Sequence, residues 1–284
     1  MNIIDLFLQN TGIFYLFIVL LGLSVGSFLN VVIYRLPLIL ENDWKSQCRE
    51  LLELKEQPEK VITLSKPAST CPKCQHKIRI WENIPVISYL FLKGKCSQCH
   101  TAISIQYPLI ELLTAILSLV VAMTFGVSWQ TLFALILTWS LIAMSVIDLH
   151  KMILPDDITL PVLWIGLLIS VFNIFIDPAT SIIGAAAGYL ILWSVFQLFK
   201  LVTGKEGMGY GDFKLLALFG AWFGWKLLPL IIILSSATGA IIGILMIILS
   251  KKERSTPIPF GPYLAIAGWI SMIWGQQIIT WYLG

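Results

Sequence analysis

Residues 129–148, WQTLFALILTWSLIAMSVID, form a 20-residue apolar run that ends in an aspartate. A hydrophobic stretch of this length can cross the hydrocarbon core of a bilayer as one α-helix. A carboxylate at the end of such a helix is costly to keep charged, so acids in these places are usually retained for a function. Asp148 therefore marks both the end of a membrane helix and a candidate functional site.

The whole chain has the same apolar character. It has 284 residues, of which 57% are hydrophobic and 12% are charged, whereas an ordinary soluble domain has about 25% charged residues. We predict an all-α polytopic membrane protein. About eight transmembrane helices are expected, near residues 12–34, 105–125, 129–148, 157–176, 180–200, 212–227, 228–250 and 259–282.

The basic residues predict the orientation of these helices, because Lys and Arg concentrate in cytoplasmic loops. If the N-terminus lies outside, the cytoplasmic side receives 18 of the 19 basic residues and only Lys226 lies opposite. The same orientation places Asp148 and a second aspartate, Asp212, at the cytoplasmic face. The net charge of +3 is then explained by membrane anchoring, and no nucleic-acid surface is predicted.

One segment is too polar for the bilayer. Residues 35–103 are rich in Lys, Glu and Pro, which predicts a cytoplasmic domain inserted between a first transmembrane helix (1–34) and the remaining membrane domain (104–284). A domain of about 69 residues buries little apolar surface and usually needs extra stabilisation.

Four cysteines in this segment can supply that stabilisation. They form two C-x-x-C pairs separated by 21 residues, Cys71 with Cys74 and Cys96 with Cys99, a spacing typical of zinc ribbons. Two disulfides are the alternative, but they are rare in a reducing cytosol. We therefore predict a structural zinc site, with Cys48 as a free thiol.

Asp212 closes the glycine-rich sequence GMGYGD at 207–212, just before another apolar run. Two carboxyls a few ångströms apart can share one proton and hydrolyse a peptide bond. The glycines Gly207, Gly209 and Gly211 are expected to allow positive φ and close approach of a substrate. The alternative for Asp212 is an N-cap.

Other acids have simpler explanations. Asp156 and Asp157 follow Pro155 and are expected as N-cap or first-turn residues of the next helix. Glu111, near the inner end of the second span, either binds a substrate's charge or pairs with a basic residue. A proton-relay transporter would place its acids nearer mid-membrane, and a non-enzymatic scaffold gains nothing from a glycine-rich loop beside an aspartate. The pattern therefore favours a protease.

The chain resembles the type IV prepilin peptidases, membrane aspartic peptidases of the GxGD type. Six motifs carry the resemblance: GSFLNVVIYRLP at 26–37, ENIPVISYLFLKGKC at 82–96, ISIQYPLIELLT at 103–114, DLHKMILPD at 148–156, GMGYGDFKLLALFGAW at 207–222 and PFGPYLA at 259–265.

The resemblance implies two activities at the cytoplasmic face of the bacterial inner membrane. Asp148 and Asp212 would cleave the basic leader of prepilins or pseudopilins, and the new N-terminus would be methylated from S-adenosylmethionine. It also implies zinc binding by the four cysteines. We expect the methyl donor near the zinc domain, with Gly94 as a candidate for close backbone approach; a simple turn glycine is the alternative.

Overall fold

The structure of the protein is a computed structural model that describes residues 3–54, 62–250 and 259–283. Lys55, Lys60, Lys251, Lys252 and Arg254, all assigned above to the cytoplasmic side, lie outside these residues.

The described part contains no β-strand, which confirms the all-helical prediction there. Its α-helices are α1 (Ile3–Gln9), α2 (Thr11–Leu51), α3 (Ile87–Phe91), α4 (Gln106–Phe125), α5 (Trp129–Lys151), α6 (Asp156–Ser170), α7 (Pro178–Thr203), α8 (Tyr210–Phe223), α9 (Leu228–Ser250) and α10 (Gly261–Leu283), with short 3₁₀ helices at Ile80–Asn83 and Trp225–Leu227.

Within the described residues, five helical segments are long and apolar enough to cross a membrane, so the chain is a polytopic membrane protein. The segments are Thr11–Leu51, Gln106–Phe125, Trp129–Lys151, Pro178–Thr203 and Trp225–Leu245. α6 and α8 have only 15 and 14 residues, fewer than the roughly 17–25 that a span needs. The total of eight spans stays a prediction.

The chain divides into two compact units, residues 1–127 and 128–284. In the first unit α2 packs along α4, and a Cβ on Gly26 would lie 2.7 Å from the Cα of Glu111. α2 continues to Leu51, well beyond the expected end near residue 34. The reason is that residues 38–51 contain neither Gly nor Pro and many of them favour helix, so the polar insertion begins as helix.

The second unit is built around α8, of which eleven of the fourteen residues are buried. α7 packs closely against it because Gly184 and Gly188 meet the backbone of α8, as small residues do in membrane helix pairs. On α6, the Val162 carbonyl accepts the Trp222 indole N–H at 2.8 Å. α8 is therefore held on several sides, and its N-terminal turn carries Asp212.

Candidate active site and metal centre

Asp148 lies in the last turn of α5 and is only 5% exposed. α5 ends because Met152 adopts a left-handed conformation and donates its backbone N–H to the Asp148 carbonyl at 2.8 Å. The side-chain Oδ2 of Asp148 accepts the backbone N–H of Gly261 at 3.0 Å. Gly261 is the first residue of α10, and such N–H groups have no acceptor within the helix and favour a negative charge.

Asp212 lies in the first turn of α8 and is 7% exposed. The neighbouring Phe213 is fully buried, with the rings of Tyr189, Phe196 and Tyr210 centred within 5.9 Å of its own ring. This aromatic cluster anchors the start of α8. The N-cap position belongs to Gly209, so Asp212 itself is a first-turn residue and not the N-cap.

The two carboxylates belong to one site, because Asp148 is near enough to act electrostatically on Asp212. Leu154, in the loop after α5, lies against both backbone segments of the site. A Cβ added to Gly211 would come within 2.8 Å of the Leu154 Cβ, and one added to Gly261 within 3.0 Å of its Cδ2. Two largely desolvated carboxyls in this arrangement can share one proton.

The expected positive φ in the glycine-rich turn is wrong. Gly209 has φ −80° and ψ 147°, an extended conformation, and Gly207 and Gly211 do not adopt positive φ either. Two of the three glycines are required for space: Gly207 packs against the Phe199 ring, with a hypothetical Cβ at 2.7 Å, and Gly211 against Leu154. A Cβ on Gly209 would meet only the Asp212 Oδ2, at 3.7 Å.

The acids around the site are partly neutralised. Asp156 and Asp157 are first-turn residues of α6, as expected. Lys214 donates to both carboxylate oxygens of Asp156 at 2.8 and 2.7 Å, and Lys200 donates to Glu206 at 2.7 Å. Asp157 forms no ion pair with any residue of the described segments.

The four cysteines lie in two knuckles of the same local structure. An isolated antiparallel β-bridge pairs Thr70 with Lys77 around the first C-x-x-C pair, and a second one pairs Lys95 with Ala102 around the second. In both knuckles the backbone N–H of the first cysteine donates to the carbonyl of the residue five positions later, at 2.9 Å. The acceptors are the His76 and Thr101 carbonyls. The equivalent sequences therefore present their sulfurs in equivalent ways.

The sulfurs of Cys71, Cys74, Cys96 and Cys99 all lie within 4.8 Å of one another. The Cys71–Cys99 and Cys74–Cys96 sulfur distances are 3.7 and 4.0 Å, close to the roughly 3.8 Å between thiolates that each bind a tetrahedral zinc at 2.3 Å. All four cysteines are free thiols, so the disulfide alternative does not hold. The donor set and spacing fit zinc.

Hydrogen bonds favour the metal-binding thiolate form at Cys71 and Cys99, whereas burial and the neighbouring thiols raise the pKa of Cys74 to about 12. The backbone N–H of Cys74 lowers the pKa of Cys71, and the Thr101 side chain lowers the pKa of Cys99 to about 6. Next to the knuckles, the backbone N–H of Arg79 at 2.8 Å lowers the pKa of Glu82 to about 2.

Other residues of this insertion lie outside the ligand set. Cys48 is an exposed free thiol, and His76 lies 3.2 Å from the Glu82 Oε2. Gly94 has φ +68°, and a Cβ there would lie 2.9 Å from the Tyr89 hydroxyl. The turn and this packing account for the glycine, and its role toward a methyl donor stays a prediction.

Three residues that sequence reasoning did not single out belong to these sites. Gly261 binds Asp148, and its signal was present in PFGPYLA, because Gly-Pro often opens a helix. No feature of the sequence indicated a role for Leu154 other than its position between Asp148 and Asp156. Val86 donates its N–H to the Glu111 Oε2 at 2.7 Å, so Glu111 binds a backbone amide, whereas a basic residue was one of its two expected partners.

Comparison with known proteins covers both units. The sequence model of the bacterial peptidase A24 N-terminal domain matches residues 20–125, and that of the type IV leader peptidase family matches residues 135–244. The prepilin leader peptidase/N-methyltransferase of Stutzerimonas stutzeri is 55% identical over 284 residues, which are 100% of this chain and 98% of that protein.

Proteins of the same name from other bacteria also match over nearly their whole length. The Pseudomonas aeruginosa protein is 56% identical over 100% of this chain and 98% of its own length. The Legionella pneumophila protein is 48% identical over 95% and 94%. No solved structure matches the chain.

Proposed function

This chain belongs to the type IV leader peptidase family, and from that premise we propose that it cleaves the leader peptide of type IV prepilins or pseudopilins and N-methylates the new N-terminus. The observation that carries the proposal is the meeting of two buried carboxylates, Asp148 and Asp212, in one site. Full-length relatives named prepilin leader peptidase/N-methyltransferase support it.

In the proposed cleavage, one of the two aspartates is ionised and takes a proton from water, while the other is protonated and donates a hydrogen bond to the scissile carbonyl oxygen. The water oxygen bonds to the carbonyl carbon, the C–N bond breaks, and the leaving amine takes the proton that the first aspartate removed from water. The N–H of Gly261 positions Asp148 for this reaction, which its 3.0 Å hydrogen bond supports.

The substrate would be held extended beside the two aspartates, where Leu154 packs against the backbones of Gly211 and Gly261. A peptide bond within a helix is shielded by its own hydrogen bonds. The family resemblance implies that the leader ends in a glycine, which makes the helix easier to unwind just before the cut. The basic leader would lie near the first turn of α6. Because Asp156 and Glu206 already bind lysines, Asp157 is the acid that would meet the leader first.

The four cysteines would hold one structural zinc ion, and the sulfur spacing supports this assignment. Zinc would join the two knuckles and order the segment between them. Its role is to stabilise a small polar insertion that buries little apolar surface of its own.

Methylation is proposed from the names of the relatives. S-adenosylmethionine would supply the methyl group to the new N-terminal amine, and no residue of this chain is assigned to it. Gly94 needs no ligand to explain its conformation.

The protein would lie in the bacterial inner membrane with its N-terminus outside and its aspartates facing the cytoplasm. The distribution of Lys and Arg supports this orientation. Type IV pili and type II secretion systems are the two assemblies whose subunits it would process.

The test is to incubate the reconstituted enzyme with a membrane-inserted substrate that carries a basic leader, with and without S-adenosylmethionine. Mass spectrometry of the product should show loss of the leader and, with the donor, one added methyl group. A transporter or a scaffold would leave the substrate intact, and a product without the methyl group would refute the second activity.

A further inference from the structure

An apolar surface lies in the middle of the polar insertion, between the two cysteine knuckles. We call residues 80–91 the 80–91 surface; it consists of the 3₁₀ helix Ile80–Asn83, a turn and α3. Its large side chains point outward, with Ile80 89% and Phe91 84% exposed. The other exposed members are Trp81, Ile84, Ile87 and Leu90. Apolar side chains clustered on a surface usually mark a binding site.

The 80–91 surface is tied to a membrane helix. The N–H of Val86 donates to the buried carboxylate of Glu111 at 2.7 Å. Glu111 is the sixth residue of α4, about 7.5 Å along the helix axis from its first residue. α4 is one of the segments able to cross the membrane, so this bond holds the 80–91 surface level with the first turns of a membrane helix.

The conformation of Val86 shows how firmly the turn is held. Its φ of +60° and ψ of −47° are rare for a β-branched residue, and the N–H of Ile87 bonds back to the Pro85 carbonyl in a three-residue turn. Such a backbone persists only where its surroundings require it. Here the Glu111 carboxylate holds the turn in place, because it accepts the N–H of Val86.

Basic residues stand at both ends of the 80–91 surface. Arg79 precedes it, with its guanidinium 5.4 Å from the centre of the Trp81 ring, and Lys93 and Lys95 follow it. All three are exposed, and Glu82 is the one acid in the stretch 69–100. An apolar surface flanked by cations is typical of segments that lie in the membrane interface.

We propose that the 80–91 surface binds the bilayer itself: Ile80, Trp81, Leu90 and Phe91 enter the boundary between headgroups and acyl chains, and Arg79 and Lys93 contact anionic phospholipid headgroups. A basic substrate leader is the less suitable occupant, because the same cations repel it. The zinc-binding knuckles close the loop that presents this surface, and Glu111 sets its depth.

Photocrosslinking of the full chain in lipid nanodiscs tests the proposal. Phe91→p-benzoylphenylalanine is made in one variant and Gln98→p-benzoylphenylalanine in a matched control, since Gln98 is an exposed polar residue of the second knuckle. After illumination, mass spectrometry should show phospholipid adducts at position 91 and far fewer at position 98. The yield at 91 should fall when phosphatidylglycerol is replaced by phosphatidylcholine.

Equal lipid adducts at both positions, or none at position 91, would overturn the proposal. So would preferential crosslinking of position 91 to an added prepilin substrate. Glu111→Leu in the Phe91 variant removes the acceptor for Val86 and should lower the lipid adduct yield while zinc content stays the same. An unchanged yield in that variant would overturn the role of Glu111 in setting the depth.

Discussion

Replacing Gly261 with alanine is expected to lower the cleavage rate about a hundredfold. A Cβ at this position would lie 2.6 Å from the Asp148 Oδ2, whereas ordinary van der Waals contact begins at 3.4 Å, so the carboxylate has to move by about 0.8 Å. Leu154 leaves little room for the new methyl group to move instead, because its Cδ2 would be 3.0 Å away. A displacement of about 1 Å at a catalytic group costs on the order of 10²-fold in rate, or about 2.7 kcal/mol.

The assay compares initial cleavage rates of one substrate with a basic leader by the wild-type protein and its variants in membranes. Gly209→Ala is the matched control, because its Cβ would make only an ordinary 3.7 Å contact with Asp212, and we expect a change within about twofold. Zinc content and the amount of inserted protein are measured for each variant. A Gly261→Ala rate near wild type, or an equal loss in both variants, would refute the role given to the Gly261 amide.

Four further substitutions separate structural from catalytic roles. Cys71→Ser should abolish zinc binding in a metal analysis; a full zinc complement would contradict the four-cysteine site. Asp156→Ala and Lys214→Ala should each cost at most about 1 kcal/mol in thermal unfolding, because this ion pair is partly exposed, and a much larger loss in either would show a tighter coupling than the geometry allows. Asp177→Ala removes the N-cap that accepts the Thr180 N–H at 3.0 Å, so the protein should lose about 0.5–2 kcal/mol of stability at an unchanged cleavage rate; a slower enzyme would be the unexpected result.

Features that depend on local chemistry were predictable from the sequence. The C-x-x-C spacing predicted a four-sulfur cluster, and the structure brings Cys71, Cys74, Cys96 and Cys99 together. Apolar run length predicted eight membrane helices, and five of them correspond to helices of the described residues that are long and apolar enough to span a membrane. Pro155 followed by two acids predicted the first turn of α6. In each case a short segment determines its own structure or its own ligand chemistry.

Features that depend on distant partners were not predictable. The number of glycines in the turn did not show which of them are needed for close packing. Gly209 is extended, whereas Gly211 is needed because Leu154 packs against it. The acceptor for the Gly261 amide lies 113 residues earlier in the chain, at Asp148. The continuation of α2 to Leu51 was missed because polarity indicates solvent exposure and does not by itself end a helix.

The central claim is that Asp148 and Asp212 act as one proton-sharing pair. The most direct measurement is the cleavage rate of Asp148→Asn and of Asp212→Asn, each in membranes, with insertion and zinc content matched to wild type. We predict that either substitution abolishes cleavage, because an amide can neither take the proton from water nor share it with the remaining carboxyl. Near wild-type cleavage by either single variant would contradict the account.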